Sequence, residues 1–139
     1  MQPIQQSQYE LLRFPDPHFP IIFHRDTCLI DDPPYTLHWH DAIELLFLVS
    51  GECQAIHNGT PLTAKKGDMV IFDSNCLHTM YAVSQVCQYD CLIIDSSFLT
   101  RCGLSVSELQ FQPFVQSSEA CSLFEKIAGE LQRKQDYYK

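Results

Sequence analysis

From Phe19 to Asp95 the chain runs as short apolar stretches rich in β-branched and aromatic residues, separated by turn residues. This pattern predicts strands at 19–27, 35–40, 44–50, 52–57, 60–64, 69–73, 79–83 and 86–95. The stretch ELLFLVS, Glu44 to Ser50, is nearly continuous in apolar residues, as a strand buried on both faces would be. Asn58-Gly59 stands between two strand signals and predicts a tight hairpin. Closely spaced strands broken by turns predict a mainly β fold, an antiparallel sandwich or barrel. The pattern changes near Ser118. Apolar residues at Ala120, Phe124, Ile127 or Ala128, and Leu131 follow helical spacing, with Ser118 as the cap and Glu119 in the first turn. Gly129 weakens this helix by about 1 kcal/mol relative to Ala. No Gly or Pro ends it, so the helix is expected to continue to Lys139 and the chain to be part of something longer. Residues 1–18 are polar and, with Pro15 and Pro17 ahead of Pro20, read as an arm. The expected organisation is an arm at 1–18, a β-barrel at 19–100 and a helical segment at 101–139.

Composition narrows the class. A chain of 139 residues with 45% apolar content is one domain with a real core. No apolar run approaches the ~20 residues that cross a bilayer, so no membrane role is expected. The uncharged start, Met1 to Gln6, is neither a signal nor a transit peptide. Seven scattered cysteines without a Cys-x-x-Cys pair read as reduced, half-buried thiols, which predicts a cytoplasmic location. Cys87 and Cys91 share a strand face but lie roughly 13 Å apart, too far to share a metal. The net charge is −8, and the only basic pairs are Lys65-Lys66 and Arg133-Lys134. Phosphate contacts need a basic patch, so this chain is not expected to bind DNA by itself.

The candidate chemistry lies in His38-Trp39-His40-Asp41-Ala42-Ile43-Glu44 and in His78. His38 and His40 share a strand face. Glu44 has the same parity but would sit roughly 20 Å from His38 along a straight strand, so the chain must turn at Asp41–Ile43 to bring it in. His78 would arrive from a neighbouring strand. Three imidazoles and one carboxylate so gathered could hold a divalent transition metal such as Zn, Ni, Mn, Fe or Cu, or hydrogen-bond the polar groups of an organic ligand. His24 and Arg25 alternate on the first strand, so one of them can reach the pocket or its rim. Tyr35 and Tyr81 are rim candidates. Trp39, of opposite parity to His38, is expected on the outside of the barrel, and His57 at the exposed hairpin. His18 has no assigned role.

At these residues the sequence resembles the cupin superfamily. His38, His40, Glu44 and Gly51 match every spacing of its first motif, and Gly67 and His78 match its second. Asp73, Asn75 and Ala82 stand where that second motif has Pro, Gly and Asn, and Asp32 where the first opens with Gly. Within the superfamily the chain is similar to the N-terminal sensing domain of AraC-type transcription regulators. The residues that carry this likeness are FPIIFHRDT, HWHDAIELLFLVSGE, the Asn58-Gly59 hairpin, KKGDMVIFDSNCLH and the closing LFEKIAGELQRKQDYYK. The resemblance implies an antiparallel jelly-roll barrel that binds a small-molecule effector, a sugar being one candidate. It also implies a homodimer formed through the C-terminal helices and DNA contact through a separate domain of two helix-turn-helix units, which this sequence does not contain. It assigns the site to His38, His40, Glu44 and His78 and implies no catalysis; Tyr35 and His24, read from their place on the chain, are the further candidate ligand contacts. The alternatives are a metal-dependent cupin enzyme, such as a dioxygenase or isomerase, and a dimerisation module with a vestigial pocket.

Overall fold

The computed structural model describes residues 8–133, so expectations for the first seven residues and for the end of the C-terminal helix, Tyr137 and Tyr138 included, lie outside the described residues. Eight strands follow in chain order: β1 (Ile21–Leu29), β2 (Ile43–Ser50), β3 (Glu52–His57), β4 (Thr60–Lys65), β5 (Met69–Phe72), β6 (His78–Ala82), β7 (Val86–Ile94) and β8 (Phe114–Val115). A short helix α1 (Ser96–Arg101) follows β7, and a long helix α2 (Ser118–Arg133) follows β8. The strands form a five-stranded sheet in the order β1-β7-β2-β5-β8 and a three-stranded sheet in the order β4-β3-β6. Every pairing between these strands is antiparallel. The expected jelly roll is therefore two facing sheets, with no continuous hydrogen-bonded closure among the described residues.

Alternation places the core. Leu46 and Leu48 of β2, Cys53 and Ala55 of β3, Val70 and Phe72 of β5, Met80 of β6, and Cys87 and Cys91 of β7 fill the space between the sheets. Ile43 and Phe47 of β2 point the other way and pack with Met69, Ile71 and Leu92 beneath Phe124 and Ala128 of α2. Phe47 and Phe124 stack with centroids 5.2 Å apart. The unbroken apolar run of β2 is thus buried by sheet on one side and by helix on the other.

Local signals explain the turns. Asn58 and Gly59 both take positive φ, 46° and 84°, as a type I′ hairpin requires. Asn75, standing for a motif glycine, also adopts positive φ (65°), a conformation that asparagine tolerates better than most residues. That departure therefore leaves the turn before His78 intact.

Several expectations need correction. Residues 35–40 do not form a regular strand; only isolated bridges occur there, Tyr9 with Trp39 and His38 with His78. The 101–139 segment is not purely helical, because β8 pairs with β5 and completes the larger sheet. Helix α1 was not foreseen; Asp95 caps it by accepting a hydrogen bond from the Ser97 amide at 3.1 Å. The capping side chain of α2 is Ser117, whose hydroxyl accepts from the Ala120 amide at 3.2 Å.

Gly51 links β2 to β3 at φ 76°, and a Cβ there would lie 2.1 Å from the Val86 carbonyl oxygen. Gly51→Ala should therefore lower unfolding stability by about 3 kcal/mol, from backbone strain plus a clash with main chain. Gly59 has φ 84° with nothing within 4 Å of its Cβ position, so Gly59→Ala should cost only the strain, about 1 kcal/mol. Urea unfolding of both variants measures the difference.

Candidate functional site

The backbone brings the four candidate residues together from two directions. The chain bends at Asp41 and Ala42, between His40 and the start of β2. This is the turn that the parity of Glu44 demanded. His38 and His78 exchange main-chain hydrogen bonds, His38 N to His78 O at 3.1 Å and His78 N to His38 O at 2.8 Å. Their rings are consequently 4.3 Å apart, with His40 5.0 Å from His78 and 5.8 Å from His38. The Asn75 amide donates to the His40 carbonyl at 2.8 Å, which ties the loop before His78 to the bend after His40.

One potential donor atom from each of His38, His40, Glu44 and His78 lies within 4.8 Å of the others. Four ligands around one ion at about 2.1 Å lie no more than about 4.2 Å apart. Shifts of a few tenths of an ångström per side chain would close the difference. His40 and His78 are buried and His38 is half-buried.

Ring orientation decides what this cluster can hold. The Nδ1 atoms of His38, His40 and His78 face the carbonyl oxygens of Thr36, Ala42 and Cys76 at 2.6, 3.0 and 2.8 Å. A carbonyl oxygen only accepts, so each Nδ1 carries a hydrogen. In a neutral ring Nε2 is then a lone pair. Yet Nε2 of His40 and of His78 lie 3.0 and 3.1 Å from the same oxygen, Oε2 of Glu44. Lone pair facing carboxylate is repulsive unless a positive species intervenes: a proton on Nε2, or a metal ion between them. Tethering Nδ1 to a carbonyl is also how proteins orient metal-binding histidines. The residues present therefore fit a divalent transition metal.

Charge follows the same logic. Burial works to raise the Glu44 carboxyl pKa, but hydrogen bonds from His40 and His78, with their charges, outweigh it and hold the group well below the usual carboxylate range. Burial works to lower His40, and the bond to Glu44 and its charge reverse this, leaving His40 raised. The second Glu44 oxygen, Oε1, accepts from the Cys91 thiol at 3.3 Å.

Three of the four, His38, Glu44 and His78, line one side of a cavity of about 160 Å³. Its apolar wall includes Leu46, Phe72, Met80 and Ile93, and Tyr35, His24 and Asp26 add polar groups. The Tyr35 and Tyr89 hydroxyls are hydrogen-bonded at 2.7 Å. His24, the first-strand candidate, lines the cavity with its Nδ1 2.8 Å from Asp26 Oδ2. Arg25 points away and is paired with the buried Asp90 at 2.6 Å.

Other expectations fare differently. Tyr81 is not at the rim; it alternates with the buried Met80 and Ala82 of β6, and its hydroxyl donates to Gln54 at 2.6 Å. His57 is half-buried rather than exposed, since parity with Cys53 and Ala55 turns it inward, where its ring stacks 6.2 Å from Phe72. Trp39 is covered from outside by Tyr9 of the arm, with ring centroids 4.7 Å apart. Sequence reasoning missed Glu10, whose carboxylate lies 3.1 Å from His38 Nε2 and which lines the cavity. It carries no motif signal. Tyr89 and Cys91 were also missed, although strand alternation along β7 turns them inward with Cys87.

The AraC-like ligand-binding domain family matches residues 27–138. The chain belongs to this family. Among solved structures it is similar to unsaturated-fatty-acid-bound ToxT from Vibrio cholerae, with a TM-score of 0.62, 10% identity, and coverage of 85% of this chain and 49% of that one. It is also similar to an RmlC-like cupin protein of double-stranded β-helix fold from Methanocaldococcus jannaschii (TM-score 0.52, 12% identity, 58% of this chain and 75% of that one). A third is a Cupin 2 conserved barrel domain protein from Salinispora arenicola (TM-score 0.52, 16% identity, 67% and 78%). At these identities the likeness shows the cupin fold. The chain spans about half the length of ToxT and 64% of other structures that it matches. No curated protein sequence matches the chain. Among the described residues no helix is long and apolar enough to cross a membrane.

The raised pKa of His40 stabilises the metal-free fold fully below its ordinary value of 6.5, and that contribution disappears as pH rises through the raised value. The lowered pKa of Glu44 stabilises the fold above its ordinary value of 4.5, and that contribution disappears as pH falls further. Metal-free protein should therefore gain most from this pair between pH 4.5 and 6.5. Thermal melts of chelator-treated protein should show a higher Tm at pH 6 than at pH 8, and the His40→Gln variant should show a smaller difference.

Proposed function

We propose that this chain is the effector-sensing and dimerisation domain of an AraC-type transcription regulator, and that His38, His40, Glu44 and His78 hold a divalent transition metal in its pocket. The observation that carries the metal reading is the orientation of the imidazoles: Nδ1 donates to a carbonyl in each ring, so the Nε2 lone pairs turn inward, those of His40 and His78 toward the Glu44 carboxylate and that of His38 toward Glu10. When bound, Zn, Ni, Mn or Fe would supply a Lewis-acidic centre for an oxygen donor of the effector. Tyr35 and His24, both on the cavity, are the further contacts for that effector. Its size supports a small molecule: about 160 Å³ is less than the usual drug-sized pocket of about 300–1,000 Å³. The domain acts by binding and not by catalysis, in the cytoplasm. DNA contact belongs to a separate domain, in keeping with a net charge of −8 on this one.

Metal should bind at one site per chain, with affinity falling below about pH 6 as protons compete for the imidazoles. His40→Ala and His78→Ala should abolish binding while the β-sheet circular dichroism persists. Calorimetric titration of tag-free protein with Zn or Ni is the test. Stoichiometry unchanged by either substitution would end the metal reading, and turnover of a substrate by the metal-loaded protein would favour a cupin enzyme.

Dimerisation would use α2. Its Phe124 and Ala128 are spent on the sheet, while Leu123 and Ile127, one turn apart on the neighbouring face, remain 53% and 45% exposed. Sedimentation should show a concentration-dependent dimer. The double substitution Leu123→Glu with Ile127→Glu should shift it to monomer without loss of fold, because neither side chain is buried in the core.

A further inference from the structure

Cys91 lies in the middle of β7, where its cross-strand partners are His24 of β1 and Leu46 of β2. It is buried, at 1% exposure, and faces the same cavity as His38 and His78. Glu44 is diagonally adjacent, since its own partner on β7 is Ile93. That places the Cys91 thiol 3.3 Å from Glu44 Oε1, while Oε2 takes both imidazole contacts. The two carboxylate oxygens thus have separate tasks. Free rotation about the terminal torsion would exchange them or turn both toward the histidines. A thiol fixed in an interior strand of the sheet prevents this, because the strand cannot move without disturbing its pairings with β1 and β2.

We propose that Cys91 is a positioning residue for the metal site: its S–H holds Glu44 Oε1, so that Glu44 offers a metal only Oε2. This inference rests on the metal reading given above and assigns a role within that site. A one-oxygen carboxylate and three imidazoles make four donors, which leaves the remaining coordination positions to donors from the cavity. A chelating carboxylate would take one of those positions. Cys91 thereby preserves an open position for an effector, and it does so as a thiol that does not touch the ion.

Cobalt(II) tests this, because its visible bands report coordination number and its near-ultraviolet region reports thiolate ligation. The tag-free chain, Cys91→Ser and Cys91→Ala are each titrated with cobalt(II) chloride. The parent chain should bind one ion without a thiolate-to-metal band. Cys91→Ser, whose hydroxyl can still donate to Oε1, should reproduce both the affinity and the visible spectrum. Cys91→Ala should bind about tenfold more weakly, as loss of an outer hydrogen bond to a ligand does, and with weaker visible bands as Glu44 turns to chelate. An Ala variant identical to the parent in affinity and spectrum overturns the positioning role and leaves the metal site standing. A thiolate band in the parent that disappears in Cys91→Ser also overturns it, by making Cys91 a ligand. Failure of the parent chain to bind cobalt or zinc removes the metal reading and this inference together.

Discussion

In this protein, three imidazole rings converge on one point, each tied back through Nδ1 to a carbonyl of its own chain segment, and the carboxylate of Glu44 meets two of them through a single oxygen. Because every Nδ1 hydrogen is already committed, the inward faces of the rings are basic, and they surround an acceptor. Such a cluster is stable only around positive charge. The requirement reaches outward through the fold. The bend at Asp41 and Ala42 brings Glu44 back under the histidines, the His38–His78 backbone pair sets two rings side by side, and positive φ at Asn75 allows the loop to hydrogen-bond the His40 carbonyl.

The packing around the cluster separates its tasks by face. Between the sheets, the apolar residues of β2, β5, β6 and β7 pack around the site and shape a small cavity beside it. On the other face of the five-stranded sheet, α2 covers Phe47 with Phe124 and still presents Leu123 and Ile127 outward. Strand β2 belongs to both faces: Glu44 and Leu46 point to the site, and Ile43 and Phe47 to the helix. The pocket and the helix-covered face therefore share one strand. The jelly-roll scaffold itself carries no such information, since the same fold hosts enzymes and regulators; the side chains placed on it decide.

Much of this was legible in the residues. The period-two alternation, the continuous apolar run of β2, the Asn58-Gly59 turn and the helical spacing after Ser118 are local patterns, and they predicted seven of the eight strands and the long helix to within a few residues. The parity of His38, His40 and Glu44 required a turn that the structure contains. Regularity in the 35–40 stretch was overestimated. These residues are extended, but they pair only through two bridges, and hydrogen bonding across the chain, not propensity, determines what counts as a strand.

What the sequence determined by itself was whatever depends on neighbours along the chain: strand and helix periods, the hairpin, and the spacing of four ligand-type residues. Tertiary structure alone decided the contacts between segments far apart in sequence. Glu10 reaches His38 only because the arm is bridged to Trp39, β8 joins the sheet only because β5 leaves an edge to fill, and Cys91 holds Glu44 only because β7 pairs with β2 in one register. Shifting that register by one residue would turn Cys91 away from the site and leave every local pattern unchanged, which is why no reading of the chain alone could place it there.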